Sequence, residues 1–208
     1  KNIYRAGTGC TTPTGQEPEV FCLEEMYEKA RPVYYEAKER LAKMNTDKLK
    51  YGVGFASGVY GCGLDGKDSS FANIQLNPDG TCTVFHAWED HRQGADIGTV
   101  TMAHEVLREA GFTPDMIHLY MNDTGYTPAS GPAGGSRSNV VTGNATRVAA
   151  EMLLNAMRKP DGTFRTYDEM VAENIPTFYE GTWVAAACTD CDLETAQGAP
   201  FSNYMYQL

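Results

Sequence analysis

Residues 71–87 read FANIQLNPDGTCTVFHA, and this stretch decides the fold that the sequence predicts. Two runs that favour extended structure, residues 71–77 and 81–87, flank the tripeptide Pro78-Asp79-Gly80. Proline presets φ and glycine tolerates positive φ, so this tripeptide is typical of a tight turn. The stretch therefore predicts a β-hairpin.

The chain after the hairpin alternates between helical and extended patterns. Residues 96–110 are typical of a helix that ends at Gly111, residues 117–122 of a strand, and residues 138–158 of a longer helix. The resulting order is strand, strand, helix, strand, helix. This order predicts an α/β or α+β fold, with a mixed sheet and with helices that follow strand–loop–helix units.

The N-terminal segment precedes this pattern. Residues 1–20 show little periodicity and predict an extended lead-in, whereas apolar residues at steps of three and four predict a helix over 23–44. Pro32 lies inside that helix and should kink it. We therefore expect residues 1–49 to form a lead-in and kinked helix, and residues 50–208 to form one structural unit.

The remaining elements complete the predicted unit. They are a glycine-rich strand over 50–60, a loop over 61–66, a short helix over 167–173, and strands over 178–187 and 204–208. The last strand is expected to be an edge strand or to pair with another copy of the chain. A homodimer is therefore one of the alternatives that the sequence leaves open.

Composition and charge exclude several classes of protein. The 208 residues contain 17 basic and 27 acidic side chains, which gives a net charge of −10. A nucleic-acid or anionic-membrane partner normally requires a basic face, and no basic cluster occurs here. No apolar run of about 18 residues indicates a membrane span. No secretory signal is visible and cysteines are sparse, which predicts a cytoplasmic protein.

The most informative loop is Ser130-Gly131-Pro132-Ala133-Gly134-Gly135-Ser136-Arg137-Ser138. Its small residues would let backbone amides approach a ligand at the start of a helix, where unpaired N–H groups and the helix dipole favour an anion. Arg137 would add a cation suited to phosphate. The Gly-Lys-Ser/Thr ending of a nucleotide-hydrolase loop is missing. A plain connection between strand and helix is the alternative.

A second polar loop runs from Trp88 to Gly94 and also leads into a helix. Two such loops after successive strands would lie side by side and could bind one extended, phosphate-bearing ligand. The alternative is that Asp96 only caps the helix and that Glu89, Asp90 and His91 are solvated.

The other chemistry-bearing residues indicate structure rather than catalysis. His86 and His104 are expected to be structural, and Cys188 and Cys191 are interpreted as two thiols at a strand-to-loop junction. The sequence contains no nucleophile elbow, His-Glu-x-x-His motif or clear metal-ligand cluster. We therefore assign no catalytic residue and no metal ligand.

Several motifs in the same order resemble the molybdenum hydroxylases, the xanthine oxidase family. The likeness is closest to the bacterial molybdenum iron–sulfur aldehyde oxidoreductases and runs along nearly the whole chain. The motifs that carry it are WEDHRQGADIG at 88–98, SGPAGGSR at 130–137, TGNA at 142–145, TPTGQEPEVF at 12–21 and YGCGLDG at 60–66, with Pro200, Phe201, Tyr204, Met205 and Tyr206 near the end.

The resemblance implies that the chain is part of the second molybdopterin-binding domain. Its cofactor would be molybdopterin cytosine dinucleotide with molybdenum. The implied cofactor-binding residues are Trp88, Glu89, His91, Arg92, Gln93, Gly94, Ser130, Gly131, Pro132, Gly134, Gly135, Ser136 and Arg137. One departure concerns Arg92, which stands where the family usually has the first glycine of Gly-Gln-Gly. Arginine does not readily adopt positive φ, although its charge could act near the phosphates.

The implied function is oxidation of an aldehyde and water to a carboxylic acid. The family's iron–sulfur domains and catalytic glutamate lie outside this stretch, and the chain starts at Lys1 rather than methionine. We therefore expect a fragment or a subunit of a split enzyme, inactive alone, whose partners are the remaining domains. The alternatives are a non-catalytic molybdopterin-binding module and part of a purine or N-heterocycle hydroxylase.

Overall fold

A computed structural model describes residues 3–63, 66, 68–200 and 202–207. Within them the chain forms two compact units, residues 1–66 with 189–208, and residues 67–188. These bounds differ from the division between residues 49 and 50 that the sequence suggests, and that division stays a prediction. Each unit is described by itself.

The first unit contains one long helix and a two-stranded sheet. Helix α1 spans Leu23–Lys43 and continues through Pro32. Strand β1, Ser57–Cys62, pairs antiparallel with β6, Ser202–Gln207. Within the described part of the chain β6 has one neighbour, so it is an edge strand, as expected. The sequence predicts a strand at 50–60, and the observed strand is shorter and begins later, at Ser57, because the residues before it pair with no strand in the described part of the chain.

The second unit is built on a four-stranded mixed sheet. Its elements are β2 (Asp68–Leu76), β3 (Cys82–His86), α2 (Ala95–Leu107), β4 (Ile117–Met121), α3 (Gly143–Met157), α4 (Tyr167–Ala172) and β5 (Phe178–Ala185). The strand order is β4-β3-β2-β5, with β3 and β4 parallel and the other pairs antiparallel. This arrangement confirms the predicted fold class and the hairpin of residues 71–87.

Two short helical turns modify the predicted helices. Residues Arg108–Ala110 form a 3₁₀ turn that Gly111 ends in the left-handed conformation, as expected. Residues Ser138–Thr142 form a π-helical turn before α3 begins at Gly143, so the predicted single helix from 138 has two parts. The regular 3.6-residue pattern does not reveal such a turn, which is often associated with functional sites.

The core lies between the sheet and helices α2 and α3. Ile74, Val84, Leu107 and Leu153 are fully buried there, and each buried aliphatic side chain contributes about 1.5–3 kcal/mol. Gly181 of β5 faces α3 so closely that a Cβ atom would lie 2.7 Å from the backbone nitrogen of Ala149. A side chain at this point would therefore push the helix off the sheet.

No helix among the described residues is long and apolar enough to cross a membrane.

Candidate functional site

The topology places the two polar loops at one end of the sheet. Because β3 and β4 are parallel neighbours, the loops that follow them, residues 87–94 and 122–137, leave the same edge. The first leads into α2 and the second into the π turn before α3. The structure thus brings together the two segments that the sequence singled out.

Two hydrogen bonds join these loops directly. The backbone N–H of Ala133 donates to Oε2 of Glu89 at 2.8 Å, and the N–H of Ala87 donates to Oγ of Ser130 at 2.9 Å. The loops are therefore joined by two hydrogen bonds, each from a main-chain N–H group of one loop to a side-chain oxygen of the other.

A cleft of about 390 Å³ lies between the loops. Its lining consists of small residues and neutral hydrogen-bonding side chains: Trp88, Gln93, Gly94, Ala95, Gly98, Ala133, Gly134, Ser136, Ser138 and Asn139. Five of these, Ala95, Gly98, Ala133, Ser138 and Asn139, were not predicted as site residues. Ser138 ends the glycine-rich loop that the sequence singled out, whereas Ala95, Gly98 and Asn139 lie on the first turns of the two helices, which a search restricted to glycine-rich loops overlooks.

Ser130 is a buried link between the loop and the sheet. Its hydroxyl donates to the carbonyl of Phe71 at 3.0 Å, and its own carbonyl accepts from Oγ of Ser70 at 3.0 Å. Oγ of Ser70 is also 2.7 Å from Oγ1 of Thr142. Ser130 thus holds the start of the glycine-rich loop on β2, outside the lining of the cleft.

The Arg137 side chain lies elsewhere than its predicted role requires. It is 2% exposed and forms an ion pair with Asp68, whose side chain is also 2% exposed, with Nη2 2.6 Å from Oδ1. Its Nη1 donates to the carbonyls of Ser130 and Pro132 at 3.2 and 2.6 Å. The guanidinium therefore supports the loop without lining the cleft, and Asp68 already neutralises its charge.

Residues 89–92 form the outer rim of the first loop. Oδ1 of Asp90 accepts from the N–H groups of Arg92 and Gly94 at 2.7 and 3.2 Å. Desolvation opposes ionisation of Asp90, but the backbone N–H groups around it outweigh that effect and lower its pKa. The exposed imidazole of His91 is 3.8 Å from the Glu89 carboxylate. These side chains do not line the cleft.

Arg92 has φ +76°, the left-handed conformation that glycine adopts without strain. The backbone at this position therefore has a conformation that favours glycine, although an arginine stands there. The strain costs about 1–2 kcal/mol. Arg92 is exposed, which leaves its long side chain room outside the loop.

Beneath the cleft lies a buried aromatic support. Trp88 is 1% exposed, and its ring is 5.4 Å from that of fully buried His86. Thr99 donates to the carbonyl of Asp96 at 2.8 Å, so Nε2 of His86 donates to the Thr99 oxygen at 3.1 Å. Burial lowers the pKa of His86 to about 4, which keeps it neutral. His86 is structural, as predicted.

Asp96 lies next to this support at the start of α2. Burial and then the charge of Asp90 raise its pKa, and the nearby Trp88 indole partly offsets them. Nevertheless, Oδ1 of Asp96 and Nε1 of Trp88 make no hydrogen bond of normal geometry. The side chain of Asp96 does not cap α2, whose N-terminus has no side-chain cap.

The donor set suits an anionic or polar ligand bound mainly by the main chain. The cleft contains hydroxyl and amide side chains, and its two helix starts supply N–H groups without intrahelical partners. A Cβ atom at Gly134 would meet nothing within 4 Å, so a ligand can approach this backbone closely. Among the described residues no group of three or more His, Cys, Asp or Glu could hold a metal ion.

Comparison with known proteins agrees with this geometry. Residues 29–208 match the model of the molybdopterin cofactor-binding domain. The chain belongs to this family. It is 54% identical over 206 residues to an aldehyde oxidoreductase of Megalodesulfovibrio gigas, covering 99% of this chain and 22% of that protein.

Solved structures give the same result. The aldehyde oxidoreductase of Desulfovibrio desulfuricans has a TM-score of 0.85 at 54% identity, with 98% of this chain and 23% of that chain covered. That of Desulfovibrio gigas has a TM-score of 0.86 at 51% identity, with the same coverage. The resemblance to molybdenum hydroxylases is thereby confirmed. The chain spans about a fifth of the length of these relatives.

Proposed function

We propose that this chain is the cofactor-binding part of a molybdenum-dependent aldehyde oxidoreductase, which converts an aldehyde and water to a carboxylic acid. The observation that carries the proposal is the 54% identity to an aldehyde oxidoreductase along almost the entire chain. The cleft at the paired loops supports it, because its donors match the anionic tail of such a cofactor.

The cofactor in this proposal is molybdopterin cytosine dinucleotide. Main-chain N–H groups near Gly134 and Gly135, the hydroxyls of Ser136 and Ser138, and the amide of Gln93 would hold its pyrophosphate and nucleotide. Bound molybdenum supplies the two-electron chemistry of the reaction. The other residues predicted as contacts, namely Trp88, Glu89, His91, Arg92, Gly94, Ser130, Gly131, Pro132 and Arg137, would shape the site around these donors.

The chain's partners in this proposal are further domains of the same enzyme. The relatives are several times longer than the segment they share with this chain. The substrate would bind to those domains together with this one, in the cytoplasm. The 208 residues by themselves are expected to show no aldehyde turnover.

The test uses the full enzyme that carries these residues, purified with its cofactor. We expect stoichiometric molybdenum, release of cytidine monophosphate on acid hydrolysis, and oxidation of aldehydes. Oxidation of purines or N-heterocycles in place of aldehydes would contradict the substrate class. Bound molybdopterin without turnover would indicate a non-catalytic module, and hydrolysis that releases no nucleotide would contradict the dinucleotide.

A matched pair of variants tests the cleft itself. Gly134→Val would fill open space at the cleft, whereas Gly52→Val fills equally open space at a residue that belongs to neither loop. Neither glycine has positive φ, so the free energy of unfolding of each variant should lie within about 0.5 kcal/mol of the parent value. We expect Gly134→Val to lose most of its molybdenum and Gly52→Val to retain it. Equal retention would contradict the assignment of the cleft.

A further inference from the structure

The guanidinium of Arg137 has no N–H group left for a ligand. A guanidinium has five such groups. The Nε donor faces both carboxylate oxygens of Asp68 at 2.8 Å, and Nη2 contacts Asp68 and the carbonyl of Ser69, the latter at 3.0 Å. Nη1 donates to the carbonyls of Ser130 and Pro132. Its whole hydrogen-bonding capacity is used inside the protein.

The loop is wrapped around this buried group. Gly131 is so close that a Cβ atom would lie 2.8 Å from Nη2 of Arg137. The carbonyls on either side of Gly131 accept from Nη1, so the chain bends around the guanidinium edge. The opposite edge contacts Asp68 and Ser69, at the start of β2. Arg137 therefore connects the loop to the sheet.

We propose that Asp68 is a positioning residue for the glycine-rich loop, residues 130–137: by holding Arg137 it fixes residues 130–132 and so places residues 134–136 at the cleft. This inference rests on the proposed function. Asp68 does not line the cleft. It acts through Arg137, and recognition of the cofactor's anionic tail relies on main-chain amides and hydroxyls instead of the Arg137 charge.

The charge of Asp68 is essential to this role. An arginine stays ionised at all ordinary pH values, and a buried cation without a counterion is strongly unfavourable. Removal of the carboxylate charge would therefore drive the guanidinium toward water. The carbonyls of Ser130 and Pro132 would lose their shared donor, and the loop would open locally.

The experiment measures amide hydrogen exchange in the 208-residue chain without ligand. In Asp68→Asn we expect exchange at the hydrogen-bonded loop amides of Ala133 and Arg137 to accelerate roughly tenfold or more, while Leu153 in the core of α3 exchanges at the parent rate. The control is Glu109→Gln, which breaks an exposed ion pair with Arg158. It should leave the loop unchanged.

The conservative variant separates positioning from general stability. Asp68→Glu keeps the charge and should recover most of the protection at Ala133 and Arg137. If Asp68→Asn does not fold, Asp68→Glu decides, with loop exchange faster than in the parent and Leu153 unchanged. Loop exchange in Asp68→Asn that equals the parent rate, or acceleration that is equal throughout the chain, would overturn the proposal.

A ligand titration keeps this inference distinct from the proposed function. Cytidine 5′-diphosphate serves as the probe, and in Asp68→Asn its affinity should fall roughly tenfold relative to the parent and to Glu109→Gln. Failure of the parent chain to bind the probe counts against the dinucleotide form of the cofactor. The exchange measurement still judges the role of Asp68.

Discussion

Replacement of Gly131 by alanine tests whether the glycine-rich loop, residues 130–137, is packed on a fixed Arg137 guanidinium. Gly131 has φ +73°, and its added Cβ atom would lie 2.8, 2.9 and 3.1 Å from Nη2, Nη1 and Cζ of Arg137. Gly162 is the matched control. It has φ +86° but nothing within 4 Å of an added Cβ atom.

The two substitutions share one cost and differ in another. Positive φ disfavours alanine by about 1–2 kcal/mol, and the lower entropy of the unfolded chain offsets about 0.4–1 kcal/mol of this. Gly162→Ala should therefore cost between about 0 and 1.6 kcal/mol. Gly131→Ala adds overpacking, which costs about 1–3 kcal/mol when the neighbour cannot move. Because Asp68 and three carbonyls hold Arg137, we expect a total of about 3 kcal/mol.

Urea denaturation measures the difference. For an m-value of about 2 kcal/mol/M, an excess of about 2 kcal/mol lowers the midpoint of Gly131→Ala by about 1 M relative to Gly162→Ala. Equal midpoints would show that the guanidinium moves aside freely, and the inference that Asp68 and the three carbonyls hold Arg137 in place would be wrong.

Three further changes test other parts of the fold. Arg92→Gly should raise the free energy of unfolding by up to about 1 kcal/mol in urea denaturation, because glycine relieves the strain of φ +76°; a loss of stability would contradict this. Burial lowers the pKa of His86 from 6.5 to about 4, so its stabilising contribution is complete above pH 6.5 and falls toward pH 4. Between pH 7.5 and 5 the parent should lose about 2 kcal/mol more than His86→Gln, and equal losses would refute the assignment. Gly181→Ala should cost more than about 3 kcal/mol by calorimetry, because its Cβ would meet the backbone of α3 at Ala145 and Ala149; a smaller cost would mean that α3 shifts easily.

The sequence predicted the sheet best where local signals agreed with tertiary pairing. The turn at residues 78–80 and its flanking runs predicted the hairpin, and β2 and β3 pair there. The start of β2 was missed by three residues because Asp68-Ser69-Ser70 is locally typical of a turn. Pairing of Asp68 with Ala185 of β5 overrides that preference.

The candidate site was predictable in its position and not in its electrostatics. Two strand-to-helix loops with glycine and serine indicated where a ligand could approach the backbone, and the cleft lies between them. The role of Arg137 depends on a partner 69 residues away in the chain, which no local pattern reveals. From the sequence alone, an arginine beside glycines predicts a phosphate contact. The ion pair of Arg137 with Asp68 gives that arginine a different role.

The electrostatics of the site follow from how its charges are already paired. The chain carries a net charge of −10, and Arg137, at the end of the glycine-rich loop, is neutralised by Asp68. The carboxylates of Glu89 and Asp90 accept backbone N–H groups at the rim, which limits their repulsion of an incoming anion. What remains in the cleft is a set of neutral donors whose directions are fixed by the loops. Such donors discriminate by geometry more than by charge, because each hydrogen bond needs an acceptor at a defined place. Under the proposed function, an acidic chain would select its dinucleotide by the directions of these neutral donors instead of by a basic surface.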